Sequence, residues 1–153
     1  MSNPEVLSAP HFMEFGYTRS TGPMVGAFLT GLRDRQVLGV KDSTDRVVVP
    51  PPEYDATTAA ALPHDALLPV GPEGVVTSWS WNPRSRLGQP LDTPFAWALV
   101  RLDGADTSIL HAIDAPRSEL RTGMRVRVRW AAETVGAITD IACFEPCSEG
   151  IAS

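Results

Sequence analysis

The sequence predicts a mainly β protein, a five-stranded OB-type barrel preceded by one helix and a short hairpin. Three observations predict it. Short strand-like segments recur from Leu67 onward, separated by turns such as Asp103-Gly104 and Arg121-Thr122-Gly123. The clearest alternation is Met124-Arg125-Val126-Arg127-Val128-Arg129-Trp130, with apolar residues on one face and three arginines on the other. A helical stripe occurs only near the start, where Met24, Phe28 and Leu32 recur every four residues beside Val25 and Leu29.

The composition suits a folded chain of this size. The 153 residues are 43% hydrophobic and 20% charged, enough for one domain with a real core and a short appendage. A net charge of −5 argues against a general nucleic-acid binder. No apolar run approaches the roughly 20 residues of a membrane span, so no membrane role is expected. Residues Met1 to Pro10 lack the pattern of a secretory signal, and Cys143 and Cys147 alone make no disulfide framework. A cytoplasmic location is the expectation. Lys41 is the only lysine, a bias that fits a GC-rich coding genome as well as a use for arginine forks.

Taken in order, residues 1 to 21 read as an extended arm carrying Phe12, Phe15 and Tyr17. Pro23 opens the helix, with Gly22 as cap, and the helix should end near Arg35. Two strands, Gln36 to Lys41 and Arg46 to Val49, flank a polar turn, and Pro50-Pro51-Pro52 stops the second. Residues 53 to 66 read as a loop with a weak helical turn. The expected division is therefore 1–66 for the arm, helix and hairpin, 67–147 for the OB-fold domain, and 148–153 for a tail. Barrel strands are expected at 74–81, 95–102, 108–113, 124–131 and 137–144. In the first of these, Val75, Thr77, Trp79 and Trp81 should share a face.

No Gly-x-Ser-x-Gly, His-Glu-x-x-His or Walker pattern occurs, so no catalytic residues are assigned. Asp103 and Asp106 have the setting of a hairpin turn rather than of an acid–base pair. Cys143 reads as a buried strand cysteine. His111 alternates with Ile109 and Ile113, which suits a core or interface histidine. Residues 117 to 129 hold five arginines against the single Glu119, a patch suited to phosphates, to single-stranded nucleic acid, or to a solvated strand face. Two tryptophans on a half-polar strand suit a protein interface. The helix stripe has no second helix to cover it, so it packs on the barrel or on another chain.

The order of these pieces resembles the acyl-CoA-associated zinc-ribbon plus OB-fold family, domain of unknown function 35. The stretches that carry the likeness are Phe28-Leu29-Thr30-Gly31-Leu32, Arg46-Val47-Val48-Val49-Pro50-Pro51, Gly74-Val75-Val76-Thr77-Ser78-Trp79, Thr93-Pro94-Phe95, Val100-Arg101-Leu102-Asp103-Gly104 and Gly123-Met124-Arg125-Val126. Tyr17-Thr18-Arg19-Ser20-Thr21-Gly22-Pro23, with Asp103 to Thr107 and Leu110-His111, looks like the branch that partners lipid-transfer-protein-type, thiolase-fold aldolases of steroid side-chain degradation.

The resemblance implies a non-catalytic subunit, with retro-aldol cleavage of a β-hydroxyacyl-CoA carried out on a thiolase-like partner. Acyl-CoA would sit at or near the shared interface. On this reading Phe28, Leu32, Trp79, Trp81 and His111 are the expected partner contacts, and Arg125 and Arg127 the expected contacts to the CoA phosphates. Alternatives are a scaffold for a thiolase or a hydroxymethylglutaryl-CoA synthase, and a single-stranded nucleic-acid-binding OB protein. The family often holds zinc with two Cys-x-x-Cys pairs. The matching positions here are Lys41, Thr44, Asp55 and Thr58. None is cysteine, so the hairpin is expected to be zinc-ribbon-like without the zinc, and no cofactor is expected.

Overall fold

The computed structural model describes residues 8–147. Residues 1–7 of the expected arm, and the tail expected over 148–153, lie outside the described residues. Helix α1 spans Pro23–Arg33, with Gly22 in extended geometry as its cap and Pro23 in its first turn. It ends two residues before the expected Arg35. There Arg35 takes a left-handed φ of 57°, and the Gln36 N–H bonds back to the Gly31 carbonyl at 2.8 Å, which closes the last turn. At the other end, the Glu53 carboxylate accepts the Met24 and Val25 N–H groups at 2.9–3.1 Å. A Cβ at Gly22 would strike that carboxylate, so a larger residue there would push Glu53 away from the helix start.

The strands that follow are β1 (Val37–Lys41), β2 (Val47–Val48) and β3 (Leu67–Val70), an antiparallel sheet in the order β2-β1-β3. Residues 67–70, expected at the head of the barrel domain, instead pair with β1 from Val37↔Val70 to Val40↔Leu67. Pro69 is compatible with this because β3 is an edge strand.

Five further strands, β4 (Glu73–Asn82), β5 (Phe95–Leu102), β6 (Ile109–Ile113), β7 (Arg125–Trp130) and β8 (Ile141–Pro146), close into a ring in the order β4-β5-β6-β8-β7. The swap of the last two strands, with β7 returning to β4, is the OB-fold arrangement.

Two expectations give way to the strand pairing. Between Val76 and Ser78 the register slips against β5, so that Thr77 is an extra, bulged residue. Its hydroxyl donates to the Leu99 carbonyl at 3.1 Å. The slip reverses the alternation: Val76, not Val75, joins Trp79 and Trp81 on the core side. The last strand starts at Ile141 rather than 137. The Asp140 carboxylate accepts the N–H groups of Val135, Gly136 and Ala137 at 2.7–3.1 Å. Those residues therefore form a tight loop instead of a ladder.

One core cluster spans both halves. Phe28 and Leu32 of α1 lie in it with Val37, Val76, Val100, Ile113 and Phe144. The turn after β5 joins the sheets as well. The Asp106 carboxylate accepts the Val47 N–H at 2.8 Å, and the Thr107 hydroxyl bonds to both the N–H and the carbonyl of Val49. Among the described residues, no helix is long and apolar enough to cross a membrane.

Candidate functional site: an apolar groove between strands β6 and β8

The parallel pair β6 and β8 touches in register only at Ile113↔Phe144. Toward Leu110 the two strands diverge, and the gap opens into a groove of about 540 Å³. Trp97, Leu110, Ile138, Ile141 and Ala142 form its walls, with Gly88 to Pro90 at the rim. No charged residue is among the described residues that line it. The long 82–94 loop reaches this rim because Gln89 accepts both the Asn82 side-chain amide and the Arg86 N–H. Leu91 of that loop packs with Phe95, Trp97, Ala112 and Cys143 in a small second buried cluster.

His111 lines the groove and is only 6% exposed. Its ring stands edge-on to Phe144 at 6.1 Å, and its Nδ1 accepts the Ala112 N–H at 2.9 Å. Burial lowers its pKa below the usual histidine range, while a backbone hydrogen bond to Ile138 opposes that shift. A base depressed by folding is protonated first in the unfolded chain. His111 therefore adds stability that is complete above its unfolded pKa of about 6.5 and lost as the pH falls through its lower folded value. Urea midpoints are expected to decline between pH 7 and 5, and the H111F substitution is expected to flatten that slope. An unchanged slope would remove His111 as its cause.

The remaining site residues do not gather around this groove. Phe28 and Leu32, expected as partner contacts, are 4% and 0% exposed in the chain's own core, so neither is presented to another chain. The uncovered helix stripe found its cover on the barrel. Trp79 and Trp81 are half-buried against the same core.

The arginine face is largely neutralised. Arg125 makes a bidentate pair with Asp103 and also reaches Glu73 at 3.0 Å. Arg127 pairs with Glu145 at 2.9 Å, and Arg129 with Asp114 and Glu145. The hydrogen bonds that Arg125 donates to Asp103 and Glu73 hold it charged and above its usual pKa. A phosphate there would have to displace carboxylates, which weakens both the CoA and the nucleic-acid readings of this face. Asp103, Asp106 and Asp114 each serve such a tie, so no acid–base pair forms among them.

Both cysteines are free, and burial pushes the Cys143 thiol up to about 11, far from a reactive thiolate.

The expected metal positions do not fit zinc. Lys41 pairs with Asp45 at 2.9 Å, and the Thr44 hydroxyl donates to Asp42. The Asp55 carboxylate is taken up by the N–H groups of Ser43, Thr57 and Thr58 at 2.7–2.9 Å. Among the described residues no cluster of three or more His, Cys, Asp or Glu could hold a metal ion. Sequence reasoning missed both Asp55 as a tie and the groove. An aspartate beside Thr57-Thr58 hinted at the first, while the groove arises only where two distant strands diverge.

Residues 68–131 match the family described as "ChsH2, C-terminal OB-fold domain". No curated protein matches the sequence significantly. Among solved structures, a protein of unknown function from the DUF35 family of Sulfolobus solfataricus is 18% identical. It aligns over 83% of this chain and 87% of its own, with a TM-score of 0.61. A chain of the Ltp2-ChsH2(DUF35) aldolase is 15% identical, over 84% of this chain and 98% of that one, with a TM-score of 0.60. At these identities the two structures show a shared fold.

Proposed function

We propose that this chain, whose residues 68–131 match the ChsH2 C-terminal OB-fold domain, is the non-catalytic subunit of a heteromeric acyl-CoA aldolase. The match of residues 68–131 to the ChsH2 OB-fold domain carries this reading. The fold shared with a chain of the Ltp2-ChsH2(DUF35) aldolase supports it.

In the proposed complex a thiolase-fold, lipid-transfer-protein-type partner removes the proton of a steroid side-chain β-hydroxyl. The bond between the α and β carbons then breaks, leaving a ketosteroid. The electron pair passes to the thioester enolate, which is protonated to release a short acyl-CoA. The OB-fold chain supports assembly and completes the acyl-CoA site. Trp79, Trp81 and His111 remain its proposed partner contacts. Arg125 and Arg127 would reach CoA phosphates only by releasing Asp103, Glu73 and Glu145.

Co-expression with an Ltp2-type subunit tests the proposal. A stoichiometric complex that cleaves a steroid β-hydroxyacyl-CoA is expected, with no cleavage by this chain alone. Failure to co-purify would defeat the reading. The W79A/W81A double substitution should weaken the complex, and because both rings also pack on the core, circular dichroism must accompany that measurement.

A further inference from the structure

Two uncovered features of this chain complement each other. The first is the arm. Residues 8–21 are all exposed, and within them Phe12, Met13, Phe15 and Tyr17 are 90%, 74%, 78% and 83% exposed. Met13, Phe15 and Tyr17 alternate with Glu14 and Gly16, the period of an extended strand with one apolar face.

The second is the open edge of β6. The Asp114 N–H bonds across to the Phe144 carbonyl of β8 at 2.8 Å. Two residues back, the Ala112 N–H finds no strand there and is met by His111 Nδ1. By the same period, the Leu110 N–H points into the gap, beyond the last β6–β8 pair at Ile113↔Phe144. This is a place where one extended segment can add to a sheet edge while its alternate side chains fill an uncharged groove beside Trp97, Ile138 and Ile141.

We propose that the groove between β6 and β8 receives the arm of a second copy of this chain, Phe12 to Tyr17 lying along the Leu110 edge, in a reciprocal two-fold dimer. In the structure the arm stands off its own body with its apolar side chains in solvent, and the groove of the same chain is empty of it. The areas suffice. Aromatic side chains bury about 150–250 Å² each, so Phe12, Phe15 and Tyr17, doubled by symmetry, remove on the order of 1,000 Å² from the arms alone. With the groove walls included, the total exceeds the roughly 1,200 Å² at which specific interfaces begin. The inference does not depend on the aldolase reading.

Light scattering of the full chain, combined with amide hydrogen exchange, tests it. The wild type should be a dimer at about 100 µM and dissociate near 1 µM, as a modest interface does, with the Leu110 amide slowed in the dimer. The F12S/F15S/Y17S triple substitution touches nothing in the core, and L110D alters a 60%-exposed side chain, so both should fold. Both should be monomeric, and in the triple variant the Leu110 amide should exchange at least tenfold faster. A wild type that stays monomeric at 100 µM overturns the proposal, including the case where Leu110 is protected because the arm folds onto its own chain. So does a triple variant that still dimerises, which would place the contact elsewhere.

Discussion

Replacing Leu32 with alanine is expected to lower the stability of the isolated chain by about 3 kcal/mol, within the 2–5 kcal/mol typical of such a change. Leu32 is fully buried, and its methyl groups belong to the cluster that joins α1 to the barrel. Truncation removes apolar contact and leaves a cavity, because helix and barrel are each held by other ties. Glu53 fixes the start of α1, while the Thr134 hydroxyl reaches the Arg33 carbonyl at 2.7 Å near its end. A helix so pinned cannot collapse far into the gap. A urea titration of the chain without any partner checks this, with a lower midpoint at an unchanged slope as the expected result. A residue that served only as a partner contact would leave that midpoint where it was. This is the measurement that separates core from interface for the α1 stripe.

Replacing Asp55 with alanine is the second large effect expected, a drop in Tm of about 5–10 °C. Asp55 ties two turns that are otherwise independent, 42–45 through the Ser43 N–H and 55–58 through the N–H groups of Thr57 and Thr58. The hydrogen bonds from the Ser43 backbone, the Thr58 backbone and the Ser43 hydroxyl hold its carboxyl well below the usual carboxylate range, against the cost of burial. A depressed acid contributes stability that is complete above its unfolded pKa, near 3.8, and is lost as the pH falls through the folded value. The N-terminal sheet should therefore keep its amide protection at mildly acidic pH and lose it only below the ordinary carboxylate range. D55N is expected to behave like an acidified wild type, with the same shape and weaker bonds. If D55A leaves both Tm and the exchange of residues 37–48 unaltered, Asp55 is not what joins the turns.

The local rules that operate along one segment are legible in the residues of that segment. Gly22-Pro23 marks the start of α1 because proline fits a first turn and needs no N–H there. The apolar run of Phe95–Leu102 between two turns defines β5 to the residue. The alternation of residues 124–130 matches the burial found in β7. Pairing between distant segments is not legible in the same way. A bulge at Thr77 moves one residue out of step, and that slip alone exchanges the faces of everything after it. Leu67–Val70 carries β character in its sequence, but nothing in four residues says whether β1 or a barrel strand will pair with it.

The sequence by itself determined the mainly β class, the one α-helix of the described residues, the turn residues and the absence of cysteines where zinc would sit, because each rests on backbone preferences and residue types within a few neighbours. Tertiary structure alone decided three things. The arginines of β7 met Glu73, Asp103, Asp114 and Glu145, carboxylates brought from other parts of the chain, and so are ion-paired. Phe28 and Leu32 went to the chain's own core, where the strands supplied the apolar surface that covers them. The groove beside His111 exists because β6 and β8, about thirty residues apart in sequence, meet at one pair and then part. Charge, burial and cavities are sums over neighbours in space, and those neighbours are fixed only when the strands have chosen one another.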